Sequence, residues 1–186
     1  RQRQMCIRDR YIEVVDSMTI RGYRFSQGWS PLQHVYFETR FSKPFMACHM
    51  DTTSIVTKDR GRIGTAYIAR FDFNTEKDEE ILVTTGISGV SMEGAGKNLR
   101  AEVSKDDFDY YQAQAAKTWN KQLSKIEVKS SDTDDLVKFY TALYHSMIAP
   151  TIYSDVDGSY YGPDQQIHKA DGWTTVSYTH LRAHET

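Results

Sequence analysis

The feature that most constrains this chain is a change of hydrophobic period near Met92. Before it apolar residues alternate, and after it they recur at helical spacing. In HVYFETRFSKPF (His34 to Phe45) the residues Val35, Phe37 and Thr39 share one side of a pleat, and Pro44 suits a strand end. GTAYIARFDF (Gly64 to Phe73) sets Ala66, Ile68 and Arg70 against Tyr67, Ala69, Phe71 and Phe73. EEILVTTGISGVS (Glu79 to Ser91) ends its apolar run at Gly86 and Gly89, where a bulge or turn is expected. YIEVVDSMTIRGYRFS (Tyr11 to Ser26) completes the set. Strand after strand without an intervening helix predicts antiparallel sheets packed as a sandwich.

Beyond Met92, Phe108, Tyr111, Ala115, Trp119, Gln122 or Leu123, and Ile126 form one stripe at helical spacing. A second helix follows in SSDTDDLVKFYTALYHSMIAP: Ser131 or Asp132 can cap it, Asp134 and Asp135 suit the positive end of its dipole, and Pro150 marks the exit. Its apolar set (Leu136, Val137, Phe139, Tyr140, Leu143, Tyr144, Met147, Ile148) covers most of the cylinder and predicts burial on several sides. The fold class is therefore α+β, a β module feeding a helical one. No internal repeat or low-complexity tract is visible.

The two ends need separate treatment. RQRQMCIRDR carries four arginines in its 10 residues and reads as a phosphate-contacting arm or as a solvated, disordered terminus. A third reading displaces both. Val176 to Leu181 can be coded by GTC TCT TAT ACA CAT CT and Met5 to Asp9 by ATG TGT ATA AGA GAC AG, which are reverse complements over nearly their whole length. They resemble the two strands of the transposon end used in preparing DNA libraries, so Arg1 to Arg10 and Thr175 to Thr186 are read as translated adapter and excluded from fold reasoning. Four Arg and one Asp leave at the front, one Arg and one Glu at the back, and the formal charge moves from −2 to −5. The basic patch that would favour nucleic acid is gone. Cys48 remains as the single cysteine, so no intrachain disulfide is expected, and His180 and His184 drop out of any metal argument. No run of 18 apolar residues suggests a membrane span.

Several groups of residues could carry chemistry. SDVDGSYYGPD places Asp155 and Asp157 two apart before Gly158, like the start of a calcium loop, but it lacks the third oxygen ligand and the distal Glu. A turn closed by Asx hydrogen bonds is the preferred reading. CHMD gathers Cys48, His49 and Asp51, yet in a strand Cys48 and His49 point to opposite faces and cannot share a metal without a bulge. MEGAGKNL, with Gly94, Gly96 and Lys97, lacks the spacing and the Ser/Thr of a phosphate loop and reads as a glycine-loosened helix start. His145, among helical aromatics, reads as a satisfied core histidine. No Ser/His/Asp or Cys/His set stands out.

HVYFETRFSKPF, GISGVSMEGAGKNLRAE, and KTWNKQLSKIEV followed by KFYTALYHSMIAPTIYSDVDGSYYGPDQQIH resemble consecutive blocks of glycoside hydrolase family 92, bacterial exo-acting α-mannosidases. The blocks run in family order over nearly all of Tyr11 to Thr174, and FYTALYHSMIAP followed by SDVDG is the most specific part. The resemblance implies a β-sandwich domain joined by a helical linker to an (α/α)6 barrel. On that plan 11–91 are the C-terminal part of the sandwich, 92–130 the linker and 131–174 the start of the catalytic domain, with 1–10 (disordered) and 175–186 adapter-derived. It implies calcium-dependent hydrolysis of α-mannosides of N-glycans or mannans with inversion, in a periplasmic, surface or secreted parent. The family's acid, base and calcium ligands lie further along the helical domain, and none maps onto a position present here. No catalytic residue and no bound calcium are therefore expected in this chain, which alone is expected to be inactive. The sugar-contacting Phe/Ser/Trp/Asp segment of the family would follow His168, where VSYTHL begins. Tyr161, Asp164 and His168 lead into it and are the candidates for lying near the pocket, against a role in supporting the barrel mouth.

The expected partner is an α-mannoside carbohydrate, with no nucleic acid. A noncatalytic carbohydrate-binding sandwich is the other reading. It explains the β half and the aromatics Trp29, Tyr36, Tyr67 and Trp173, and leaves the helix Asp135 to Ala149 unexplained. A purely structural or interaction domain accommodates every feature and distinguishes none.

The adapter reading makes a direct prediction. The nucleotide sequence encoding this chain will carry ATG TGT ATA AGA GAC AG from Met5 and GTC TCT TAT ACA CAT CT from Val176. Other synonymous codons at these positions would return the termini to the protein.

Overall fold

The computed structural model describes residues 6–27, 32–54 and 65–176. Trp29, His180 and His184 lie outside the described residues. Contacts group the chain into two units, the first drawn from residues up to Asp106 together with Ser154–Thr174, the second from Asp107–Tyr153 and Thr175 onward.

The first unit contains the strands β1 (Cys6–Val14), β2 (Thr19–Gln27), β3 (Gln33–Phe41), β4 (Ala47–Ser54), β5 (Thr65–Asp72) and β6 (Val83–Ser88), of which β4 was not among the alternating segments. The main sheet has the order β1-β2-β3-β6 and is antiparallel throughout, and β4 pairs with β5 as a separate antiparallel ribbon. Residues 6–10, expected to be disordered, instead continue β1, with a register shift between Ile7 and Asp9. The open edge of β2 supplies the backbone partners that make this extension possible.

The pleat divides the side chains as alternation requires. On one face, Ile20 and Phe41 are buried, and the Thr39 and Thr85 hydroxyls meet across β3 and β6 at 2.9 Å. Phe41 also gathers Phe45, Phe71 and Phe73, with ring centroids 5.3–6.0 Å from its own, which ties the β4–β5 ribbon to the main sheet. The other face carries α1 (Met92–Glu102), capped at its N-terminus by Ser91, whose hydroxyl accepts from the Gly94 amide at 2.9 Å.

α1 seats on β6 and β3 through its smallest residues. Ala95 and Leu99 are buried there. A methyl group built on Gly86 would collide with the Ala95 carbonyl and lie 2.7 Å from Leu99 Cβ, so Gly86 is required by proximity. The segment assigned to the linker thus begins with a helix that belongs to the sheet.

The second unit contains α2 (Phe108–Leu123), capped by Asp107, and α3 (Thr133–Met147), capped by Asp132, one of the two residues proposed for that role. They meet through Trp119 against Tyr144, with ring centroids 4.5 Å apart. The Tyr140 hydroxyl donates to the Ile126 carbonyl at 3.1 Å and accepts from the Val128 amide at 3.3 Å. The expected burial of α3 on several sides is not found: none of its residues is buried, and Val137 is 60% exposed. One neighbouring helix covers one flank, whereas this stripe wraps most of the cylinder. For the same reason His145 is exposed and is not a core histidine. Among the described residues no helix is long and apolar enough to cross a membrane.

The seating of α1 yields a stability prediction. Gly86→Ala should lower unfolding free energy by about 1–3 kcal/mol, the usual range for forced overpacking, because backbone rather than a flexible side chain must move. Gly89→Ala, whose added methyl meets nothing nearer than Tyr161 Cβ at 4.0 Å, is the control and should fall within about 0.5 kcal/mol of wild type. Urea unfolding of the two variants measures the difference.

Candidate functional site

The segment following Pro150 carries the sequence candidates and folds as a hairpin in the first unit. β7 (Ser159–Tyr161) pairs antiparallel with β8 (Ile167–Lys169), bringing Tyr160 opposite His168 and Tyr161 opposite Ile167. Its entry is the SDVDG turn. The Gly158 amide donates to the Asp155 carbonyl at 2.9 Å, the Ser159 amide to Asp157 Oδ1 at 3.0 Å, and Gly158 adopts φ +84°. This is the Asx-closed turn, with glycine where the left-handed backbone favours it.

The two aspartates of the turn have different surroundings. Asp155 is 7% exposed. Its Oδ2 accepts from the Ser88 hydroxyl at 2.6 Å and its Oδ1 from Asn98 Nδ2 at 2.8 Å. Asp157 accepts from Lys97 Nζ at 3.0 Å, and this ammonium, with help from Ser159, lowers its carboxyl from 3.8 to about 2. Every inward carboxylate oxygen of SDVDG is therefore committed to a protein donor, and a cation already stands beside Asp157. That donor set does not fit a calcium ion, which needs six or more oxygen ligands free to turn toward it. Among the described residues no three His, Cys, Asp or Glu side chains converge on a metal position.

The hairpin brings two of the three candidates together. His168 Nε2 lies 2.8 Å from Asp164 Oδ2, and the imidazole holds the Asp164 carboxyl below the usual range. Beside this pair stands Tyr160, 5.5 Å from the His168 ring and 5.7 Å from the Trp173 ring, with Trp173 49% exposed. Tyr161 points the other way, because neighbours on a strand alternate, and its ring packs 4.6 Å from His34.

His34 belongs to a group of rings that sequence reading did not assemble. Tyr11, Tyr23, Phe25, His34 and Tyr36 line one face of β1, β2 and β3, with the Phe25 ring 4.5 Å from Tyr23 and 4.2 Å from His34. Burial lowers the His34 pKa and raises that of Tyr36. The signal was present as aromatics two apart in GYRFS and HVYF, and antiparallel pairing of β2 with β3 made it a cluster. Elsewhere, His49 Nε2 bonds Asp72 Oδ2 at 2.9 Å and Cys48 is a free thiol in the same strand, β4.

An inverting glycosidase needs a general acid whose pKa is raised and a second carboxylate as base. Among the described carboxyls, each resolved shift runs downward: Glu13, Glu79, Asp157 and Asp164. The hairpin offers instead an exposed Asp–His pair beside two aromatic rings, chemistry suited to contacting a polyol.

The pH consequence follows from Asp157. Its folded pKa lies below its unfolded value, so its contribution to stability is present above about pH 4 and is lost as pH falls toward 2. Lys97→Met removes the main cause. It should lower the melting temperature at pH 5 and flatten the decline between pH 4 and pH 2, which melting curves across that range would measure; an unchanged slope would assign the acid limb to other groups.

Comparisons with known proteins agree with the architecture. The Glycosyl hydrolase family 92 N-terminal domain profile matches residues 2–88, and the Glycosyl hydrolase family 92 catalytic domain profile matches residues 94–184. Both spans run into termini read as adapter. Curated proteins give no match. Among solved structures, the family GH92 α-mannosidase BT3965 of Bacteroides thetaiotaomicron is 31% identical with a TM-score of 0.77, covering 90% of this chain and 24% of its own. The same enzyme in complex with mannoimidazole matches equally, at 31% identity and TM-score 0.77, over 90% of this chain and 23% of that one. The inverting mannosidase BT2199 of the same species, 22% identical with a TM-score of 0.71 over 90% of this chain and 24% of its own, shares the fold. The chain thus spans about a quarter of the length of these relatives. With an N-terminal profile over its sheet and a catalytic-domain profile over its helices and hairpin, the chain belongs to glycoside hydrolase family 92.

Proposed function

We propose that this chain is part of an exo-acting α-mannosidase that hydrolyses terminal α-mannosides of N-glycans or mannans with inversion and in dependence on calcium. The observation that supports this reading most is its likeness, along nine-tenths of the chain, to a family member described as an α-mannosidase and solved with mannoimidazole bound. In such a reaction a carboxylic acid protonates the leaving oxygen while a more distant carboxylate activates water. Asp155 and Asp157 are occupied in holding the fold, so within this reading this chain's contribution is to shape and support the sugar site.

Within that reading, the His168–Asp164 pair has the donors and acceptors to meet sugar hydroxyls, and Tyr160 and Trp173 have ring faces on which a pyranose can stack. Tyr161, turned toward His34, supports the hairpin. The calcium ion of this reading takes its ligands from residues other than SDVDG.

The test has two arms. The chain alone should release no chromophore from an aryl α-mannoside, with or without added calcium. The whole protein of the source gene should release mannose, and chelation should abolish turnover. Calcium-dependent turnover by the isolated chain would overturn the division of labour, and a whole protein inactive on α-mannosides would overturn the reading itself.

A further inference from the structure

Residues 154–174 are separated from the sheet by both helices of the second unit, yet they pack on the first unit, and the means of attachment is specific. The Asp155 carboxylate enters a recess formed by Ser88 at the end of β6 and by Gly94 and Asn98 on α1. The Val156 amide donates to Asn98 Oδ1 at 2.9 Å, and Lys97 reaches Asp157 at the rim. The recess also lies at the first turns of α1, where the helix dipole favours a negative group.

The recess keeps its own shape. Ser88 Oγ accepts from the Val90 amide at 2.9 Å and the Ser91 amide at 3.2 Å, and Asn98 Nδ2 also donates to the Ile87 carbonyl at 2.8 Å. None of these bonds involves Asp155. The incoming segment is equally self-contained: the Asp155 amide donates to Ser159 O, Gly158 N to Asp155 O, Gly162 N to Gln166 O and Ala170 N to Gly158 O. Each side is internally bonded, and a small set of contacts joins them.

We infer that residues 154–174 form a strap that opens and closes as a unit, latched by insertion of the Asp155 carboxylate into a preformed socket of Ser88, Gly94 and Asn98. Gly94 is the sensitive point. A methyl group there would collide with Asp155 Oδ2 and lie 2.8 Å from Ser88 Oγ, filling the socket without removing either donor. Alanine is also the better helix former, so α1 itself should not weaken.

Hydrogen exchange on the full chain tests the latch. In wild type, the strap amides of Asp155, Gly158, Gly162 and Ala170 should exchange through an opening with a smaller urea dependence than the amides of β2 and β3. In Gly94→Ala, strap exchange should accelerate by about tenfold or more while α1, β2 and β3 keep their protection. Asp155→Ala, which empties the socket, should show the same pattern. If the strap exchanges in step with β2 and β3 in wild type, or if Gly94→Ala leaves strap protection unchanged or removes that of α1 as well, there is no separable latch. The wild-type measurement decides the question even where a variant fails to fold.

Discussion

The close seating of α1 on β6 is the constraint on which the rest of the first unit depends. It is possible because Gly86 on the strand faces Ala95 and Leu99 on the helix, so that the strand meets the helix backbone across the contact. That proximity sets Asn98 within reach of the Ile87 carbonyl and brings Ser88 beside the helix N-terminus. The recess filled by Asp155 is a by-product of that geometry. A larger residue at Gly86 would separate the two elements, and the polar groups that receive the strap would no longer converge.

Much of the local structure was legible in the sequence, because local structure is set by neighbours in the chain. Period two gave the strands β2, β3, β5 and β6, and an acidic start before an apolar stripe gave the cap of α3 as one of two residues. The Asx-closed turn at Asp155–Gly158 was legible for the same reason. What the sequence could not display was which surfaces are covered. The stripe of α3 reports that its residues are apolar, while burial depends on how many neighbours pack round it, and a single helix leaves Val137 and His145 open.

The candidate site shows the same division. Asp164 and His168 were legible as candidates through the family resemblance alone, and it is the hairpin that joins them as a pair. Their relation to Tyr161 was not, since it hinges on β7 being a strand, in which Tyr160 and Tyr161 must diverge. The partners of Asp155 lie 57 and 67 residues away in sequence, with two helices between, and nothing in the SDVDG spacing announces them. For the same reason the aromatic group of β1, β2 and β3 was visible only as fragments.

The alternation in β7 also explains why the attachment of the strap matters for its chemistry. Tyr161 is spent on the sheet side, against His34, and Tyr160 on the opposite side, with His168 and Trp173. A three-residue strand with a five-residue turn cannot set that orientation alone, because an isolated two-stranded hairpin is marginal in water. Orientation must come from outside the hairpin. The buried contacts of Asp155 fix one end of the strap, and the Tyr161–His34 packing fixes the rotation of β7 about its axis. The side presented to solvent, with its Asp–His pair and its two rings, therefore follows from residues that make no contact with anything bound there. Substitutions at Ser88, Asn98 or His34 would act on that surface through position alone.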